Sequence, residues 1–180
     1  GTHANSDKEL LSAKIVLADG TRLNTGDPES RMTFEKNHTP FLNKIIEIRD
    51  EIRNDNELSD RIRKKYSIKN VTGLNLLPFV IYDDPFDIIA HLMVGSEGTL
   101  AFLSEVTMKT EHDYPYSASA MLYFSNIKDA CRAVVAMKPG PVFSAELLDK
   151  KSLASVNDTT GTGLTAVLTE TKADTPEELQ

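Results

Sequence analysis

The apolar positions change period several times along the chain, and each change marks an element. Residues 4–12 turn from polar to apolar and read as a short helix or turn leading in. Lys14 to Leu17 reads as a strand, Asp19-Gly20 as a two-residue hairpin turn, and Thr21 to Asn24 as the returning strand. Residues 25–38 have few apolar anchors and read as a mobile polar connection. Thr39-Pro40, a cap followed by proline, predicts a helix start. Phe41, Leu42, Ile45, Ile46, Ile48 and Ile52 then form its apolar stripe. Asn54-Asp55-Asn56 interrupts it, and a second helix carries Leu58, Ile62 and Tyr66 on one face, with Arg61, Arg63, Lys64 and Lys65 beside them. Lys69 to Leu77 reads as a loop, and Pro78 as a stop to any helix.

The stretch Asp84 to Thr110 organises the chain. Asp84 is a good N-cap and Pro85 suits the first helical position. Ile88, Ile89, Leu92 and Met93 recur at helical spacing. Gly95 can end that helix in the left-handed conformation. Phe102 to Thr110 is rich in β-formers.

A polar segment around Pro115 predicts a domain boundary near residue 112. Beyond it come a strand from Ala118 to Phe124 and a helix capped by Asn126. Ile127, Ala130, Cys131, Val134 and Met137 make that helix's apolar face, and Pro139-Gly140-Pro141 ends it. A strand from Val142 to Leu148, a short helix Ser152 to Val156, a loop from Asp158 to Gly163, a strand Leu164 to Thr169 and a helix start at Thr175-Pro176 follow. The order predicts an incomplete ferredoxin-like βαββαβ unit. Both ends read as cut: Gly1-Thr2-His3 begins without an anchoring element, and the last helix start is followed by too few residues to hold a helix in water.

Composition narrows the classes. The chain has 180 residues, 40% of them hydrophobic, enough for a buried core. A formal net charge of −7 argues against a nucleic-acid surface. Cys131 is the single cysteine, which excludes an intrachain disulfide; its place on the apolar helical face predicts a core position. No apolar run approaches the roughly 20 residues of a membrane helix, and no signal peptide is visible. A reducing, cytoplasmic setting is the expectation, with peripheral membrane association compatible with it. His3, His38, His91 and His112 have no zinc-ligand spacing; His91 reads as a packed or exposed helix residue rather than a base. Of the paired carboxylates, a helix cap explains Asp84 and solvent explains Asp83.

Two readings of Gly95-Ser96-Glu97-Gly98-Thr99-Leu100 stand side by side. One is a helix C-cap leading into a strand. The other is a ligand cradle, with hydroxyls from Ser96 and Thr99 and bare glycine backbone open to a phosphate or a flavin ring. Glu97 fits better as a brace that bonds backbone N–H groups than as a proton carrier. The segment is neither a P-loop nor a dinucleotide fingerprint, since the glycines follow a helix instead of opening one.

Gly95 to Leu100, with Phe102-Leu103-Ser104-Glu105-Val106-Thr107, resembles the Gly-Ser-Glu-Gly-Thr-Leu-Gly signature of FAD-linked oxidases of the vanillyl-alcohol-oxidase/p-cresol-methylhydroxylase (PCMH) type. Lys65 to Gly73 resembles that family's Lys-Asn-x-x-Gly-Tyr segment, and Ile15 to Asp27 its Val-Leu-Ala-Asp-Gly-Thr hairpin. The nearest branch is that of the FAD-dependent D-lactate dehydrogenases, near glycolate oxidase. Ala101 stands where the family has a glycine, and Leu74 where it has a tyrosine.

The resemblance implies an α+β fold. Residues 1–112 would be the second subdomain of a PCMH-type FAD-binding domain, an antiparallel sheet flanked by helices. Residues 113–180 would be the incomplete ferredoxin-like first part of the cap domain. The cofactor implied is FAD, contacted by Gly95, Ser96, Glu97, Gly98, Thr99, Leu100 and Ala101. Lys69, if it faces the flavin, would stabilise an anionic reduced ring or a substrate carboxylate. The implied reaction oxidises a small D-2-hydroxy acid to the 2-oxo acid, with an electron acceptor the sequence does not name and a possible iron–sulfur domain in the longer protein. The diphosphate-binding loop and the substrate-binding and base residues would lie outside this chain, so the piece alone is expected to bind FAD weakly or not at all and to be inactive. No metal site is implied within it. The alternative is a non-catalytic α+β module that binds another anion or a partner protein.

Overall fold

The computed structural model describes residues 6–68, 73–156 and 164–179. The chain divides into two compact units, Gly1–Glu111 and His112–Gln180. Each is α+β, with one small antiparallel sheet and flanking helices.

The first unit runs α1 (Ser6–Glu9), β1 (Leu10–Val16), β2 (Arg22–Asn24), α2 (Pro28–Asn54), α3 (Asn56–Tyr66), α4 (Leu77–Ile81), α5 (Pro85–Leu92) and β3 (Phe102–Met108). Its sheet has the order β2-β1-β3. The hairpin between β1 and β2 has a three-residue loop, Ala18-Asp19-Gly20, rather than the two-residue turn the sequence suggests. Leu17 N–H donates to the Thr21 carbonyl at 2.8 Å, and Gly20 takes φ +85° at the third loop position, the geometry that such loops require of a glycine. Thr25 extends the ladder beyond β2: its N–H donates to the Ala13 carbonyl and its buried hydroxyl accepts from Ala13 N–H, both at 2.9 Å.

Residues 28–38 are helical, which overturns the expectation of a mobile connection. Asp27 accepts from Glu29 N–H at 3.2 Å and Pro28 opens the helix, the same cap-plus-proline signal that Thr39-Pro40 carries. Thr39-Pro40 lies instead inside α2. There the missing N–H and the ring's crowding of the preceding turn produce a kink, recorded as φ −131°, ψ 29° at His38. Phe34 anchors the unexpected segment: it is buried, stacks on His38 at 4.5 Å, and meets Phe41 and Phe86 edge-on. Pro78 likewise opens the short helix α4 rather than preventing one.

Two apolar clusters fill this unit. Leu10, Ala13, Ile15, Leu23, Phe34 and Leu42 pack with Phe86, Ile89, Ala90 and Met93 beneath the sheet. Ile52, Ile62, Phe79, Val80 and Ile88 pack between the helices. Helix α5 therefore faces both ways, and Ile88 is 0% exposed. Arginines on α2 close the polar ends of its neighbours. Arg53 donates to the carbonyls of Phe79 and Tyr82, satisfying the last turn of α4. Arg31 pairs with Asp84 at 2.7 Å and Asp87 at 3.3 Å in the first turn of α5, with its guanidinium 5.0 Å from the Phe86 ring centroid.

Next to α5 lies a group of titratable side chains. His91 is buried, stacks on Tyr82 with ring centroids 4.1 Å apart, and has Nδ1 2.8 Å from the Asp87 carbonyl oxygen. It is a packed helix residue. Asp7 is half-buried nearby and accepts from Asn75 Nδ2 at 3.1 Å. Burial pushes its carboxyl above the ordinary value; His91 and the Asn75 bond oppose this without reversing it. Burial, and then the charges of Asp7 and Asp87, push the Tyr82 phenol up.

The second unit runs β4 (Tyr116–Phe124), α6 (Ile127–Met137), β5 (Ser144–Leu148), α7 (Lys150–Ser155), β6 (Thr165–Ala173) and a 3-10 turn (Glu177–Leu179). Strand β6 lies between β4 and β5 and is antiparallel to both. β4 and β5 are therefore parallel, joined by the α6 crossover with a strand inserted between them. Asn126 caps α6 by accepting from Asp129 N–H at 3.0 Å. The face of α6 is rotated from the expected one. Ala130 is fully buried, with Ala133, Val134 and Met137 half-buried, whereas Ile127 and Cys131 are exposed. Both stripes have helical spacing; the small side chain of Ala130 is the one that sits closest against its surroundings, and Cys131, about 100° further round the helix, points away.

Two outcomes follow. Cys131 should react with a thiol reagent such as DTNB in the native chain at close to the rate seen in denaturant; strong protection would contradict its exposed position. Replacing Asp7→Asn should raise the thermal midpoint of the first unit at neutral pH. A carboxyl whose folded pKa is raised opposes folding when ionised, so that gain should shrink as pH falls towards 3.8, the group's ordinary value. Differential scanning fluorimetry across that range would check it, and a gain that grows on acidification would contradict it.

Candidate functional site

The glycine turn is built outward from α5. Asp84 accepts from Phe86 N–H at 2.8 Å, and Phe86, Ile89 and Met93 bury the helix against the sheet. The chain then turns at Gly95, where φ is +80°. Ser96 turns inward and is buried; its hydroxyl donates to the Met93 carbonyl at 2.9 Å and its N–H to the same oxygen at 3.2 Å. Thr99 closes the second half, its hydroxyl and N–H donating to the Ser96 carbonyl at 2.6 and 3.0 Å. Both hydroxyl protons are therefore spent inside the turn.

Backbone is what the turn presents. Gly95, Glu97, Gly98, Thr99 and Leu100 are exposed. Glu97 has φ +51° and Gly98 φ +77°. A Cβ built on Gly95 or Gly98 would meet nothing within 4 Å, so these glycines answer to backbone conformation and not to crowding. Among the described residues, the N–H groups of Gly95, Glu97, Gly98 and Leu100 have no hydrogen-bond partner. Glu97 does not brace the turn as the sequence suggested; its carboxylate makes no bond among these residues, and Ser96 and Thr99 do the bracing.

A cleft of about 260 Å³ lies between the end of the β1–β2 hairpin (Val16, Leu17, Ala18) and the segment Gly98, Thr99, Leu100, Ala101 and Phe102. Pockets that enclose a drug-sized ligand run to ~300–1,000 Å³, so this one can seat the edge of a planar ring and not the whole of it. The hairpin and the glycine turn, far apart in sequence, are thus neighbours. So are the Gly73 loop and the turn, since a Cβ on Gly73 would stand 3.0 Å from the Gly95 carbonyl oxygen.

Other candidates are placed as follows. Lys69, Asn70 and Thr72 lie outside the described residues. Arg61, Lys64 and Lys65 are exposed on α3, and Arg63 reaches the Val80 carbonyl at 3.5 Å. Asp84 caps α5 while paired with Arg31. Asp83 is not left to solvent alone: Arg53 and Arg49 hold it, and the Arg53 hydrogen bond and charge lower its carboxyl below the ordinary value. Among the described residues no three His, Cys, Asp or Glu side chains come together to hold a metal ion, and no helix is long and apolar enough to cross a membrane. Sequence reading missed a polar cleft on β1 and β3, lined by Ser12, Lys14, Asn24, Gly26, Glu105 and Thr107. Its Lys14–Glu105 pair is about half exposed on each side, a geometry worth ~0–1 kcal/mol.

No protein-family model matches this chain, and no solved structure does. Over 79 residues it is 33% identical to the mitochondrial D-lactate dehydrogenase (cytochrome) of Arabidopsis thaliana. That stretch is 43% of this chain and 14% of the plant enzyme. The chain thus has a partial, distant likeness to one oxidoreductase far longer than itself.

Proposed function

We propose that this chain is the flavin-contacting part of a longer FAD-dependent oxidoreductase that oxidises a D-2-hydroxy acid of the lactate or glycolate type to its 2-oxo acid. The observation that carries the reading is the exposed turn Gly95–Leu100, in which Gly98 and Leu100, whose N–H groups have no partner among the described residues, line a cleft roomy enough for one edge of a ring. The likeness to a D-lactate dehydrogenase supports it, as does the resemblance of Gly95–Leu100 to the oxidase signature. In this reading residues 1–112 complete a PCMH-type flavin domain, and residues 113–180 begin a ferredoxin-like cap.

The residues fit the cofactor. Gly98 and Leu100, which line the cleft, would direct N–H groups at a ring carbonyl or at negative charge. Leu17, Leu100 and Phe102 would exclude water from the ring's edge, and Ala101 would lie against it. Ser96 and Thr99 would keep the turn in shape without touching the ligand. When bound, FAD supplies the hydride acceptor, N5, for oxidation of the substrate carbon. This chain contributes position and electrostatics. Asp7, His91 and Tyr82 are packed among α1, α4 and α5, and none is given a proton-transfer role.

The test is a titration of the 180-residue chain with riboflavin and with FAD, followed by flavin fluorescence. Weak binding of both, with FAD no tighter than riboflavin, is expected, since the diphosphate would find no loop here. Gly98→Ala should abolish it: the new methyl group meets no protein atom but would stand where the ring rests. The same variant should cost ~1–2 kcal/mol in a urea titration, because an L-residue is placed at φ +77°. Riboflavin binding unchanged by Gly98→Ala, or no binding at millimolar concentration, would refute the proposal.

A further inference from the structure

Among the described residues, the two non-glycine residues with positive φ are Leu74 (φ +52°) and Glu97 (φ +51°). Backbone held this way is retained only where the surroundings fix it. The two lie in different loops, and the loops meet. Gly73, next to Leu74, comes so close to Gly95, two residues before Glu97, that a Cβ at position 73 would stand 3.0 Å from the Gly95 carbonyl oxygen. That is tighter than most contacts a Cβ makes, and the Gly95 backbone would have to give by a few tenths of an ångström to accept it. The φ of Gly73 lies outside the left-handed region. This glycine is therefore required for closeness and not for conformation, the reverse of Gly95 and Gly98.

The Gly73 loop is itself tied down. Tyr66 donates its hydroxyl to the Leu74 carbonyl at 3.3 Å. Asn75, just before the N-cap Leu76, accepts from Leu77 N–H at the start of α4 at 2.9 Å, while its amide donates to Asp7. Position 73 is thereby held by α1, α3 and α4, and Gly95 is the first residue of the turn that follows α5.

We infer that Gly73 is the positioning residue of the glycine turn: by bearing no side chain it lets the 73–76 loop seat the Gly95 carbonyl, and this sets where the N–H groups of Glu97 and Gly98 point. It touches no ligand and acts through Gly95. The importance of this for a flavin rests on the functional reading above; the mechanical coupling does not.

The experiment compares amide NMR spectra and amide hydrogen exchange of the wild-type 180-residue chain with Gly73→Ala, Leu74→Gly and, as a control in the second unit, Gly140→Ala. In Gly73→Ala the amides of Gly95 to Leu100 should shift while those of Ile15 and Ile88 stay in place; Gly140→Ala should leave the turn untouched. Leu74→Gly frees position 74 to leave the left-handed region without adding an atom. It should speed hydrogen exchange at Ser96 and Thr99, the amides of the turn that are hydrogen-bonded, even if Gly73→Ala fails to fold. Changes confined to residues 73–77 in the first variant, or turn exchange unaltered in the second, would overturn the inference. Riboflavin titration separates the two claims. Affinity about tenfold lower in a folded Gly73→Ala supports both. Moved turn amides with no riboflavin binding in either protein keep the positioning role and refute the flavin reading. Equal binding by wild type and variant overturns the positioning role and keeps the flavin.

Discussion

The first unit depends on one short helix having two buried sides. Eight residues, Pro85–Leu92, give Ile88 to the cluster between the helices and Phe86, Ile89 and Ala90 to the cluster beneath the sheet. A helix this short has no stability of its own in water. It exists because both clusters close on it and because Arg31 holds the carboxylates at its first turn. The glycine turn inherits its place from that double packing. Met93 is buried with the sheet cluster, so the chain leaves α5 from a fixed point, and Gly95 is the first residue free to reverse direction.

How much of this could be read from residues alone varies by element. Helix α5 and its cap were legible because cap, proline and apolar spacing agree. The succession of strand and helix in the second unit was legible from its periods; the place of β6 between β4 and β5 comes from the structure. The first half of α2 was not. Residues 28–38 are polar, and their helix is held by distant partners: Phe34 against Phe86, and Arg31 against Asp84 and Asp87. No local period announces a contact across more than fifty residues. The cap signal Asp27-Pro28 was present, but without an apolar stripe behind it the pattern favoured a loop.

The face of α6 shows a second limit. Ile127, Ala130, Cys131, Val134 and Met137 form one acceptable stripe, and Ala130, Ala133, Val134 and Met137 form another. Periodicity cannot choose between stripes that share Ala130, Val134 and Met137 and are turned only about 50° from each other; the half-burial of Ala133 and the exposure of Ile127 and Cys131 do. At the candidate site the sequence located the glycines but not the division of labour among them. That Ser96 and Thr99 turn their hydroxyls inward, and that Gly73 serves closeness while Gly95 and Gly98 serve conformation, are facts of three-dimensional neighbourhood.

Strand β3 carries a further consequence. Leu103, Val106 and Met108 stand opposite the buried Ile15, Ala13 and Leu10, yet remain 42%, 43% and 40% exposed. They continue the greasy underside of the sheet past the last helix that shelters it. Among the described residues β3 is also an outer strand, paired on one flank only. A sticky border of this kind is a template on which a stray β-segment can polymerise. Isolated in bulk, this chain will therefore be governed by its colloidal behaviour, and keeping it monodisperse will decide what any solution study of it can resolve.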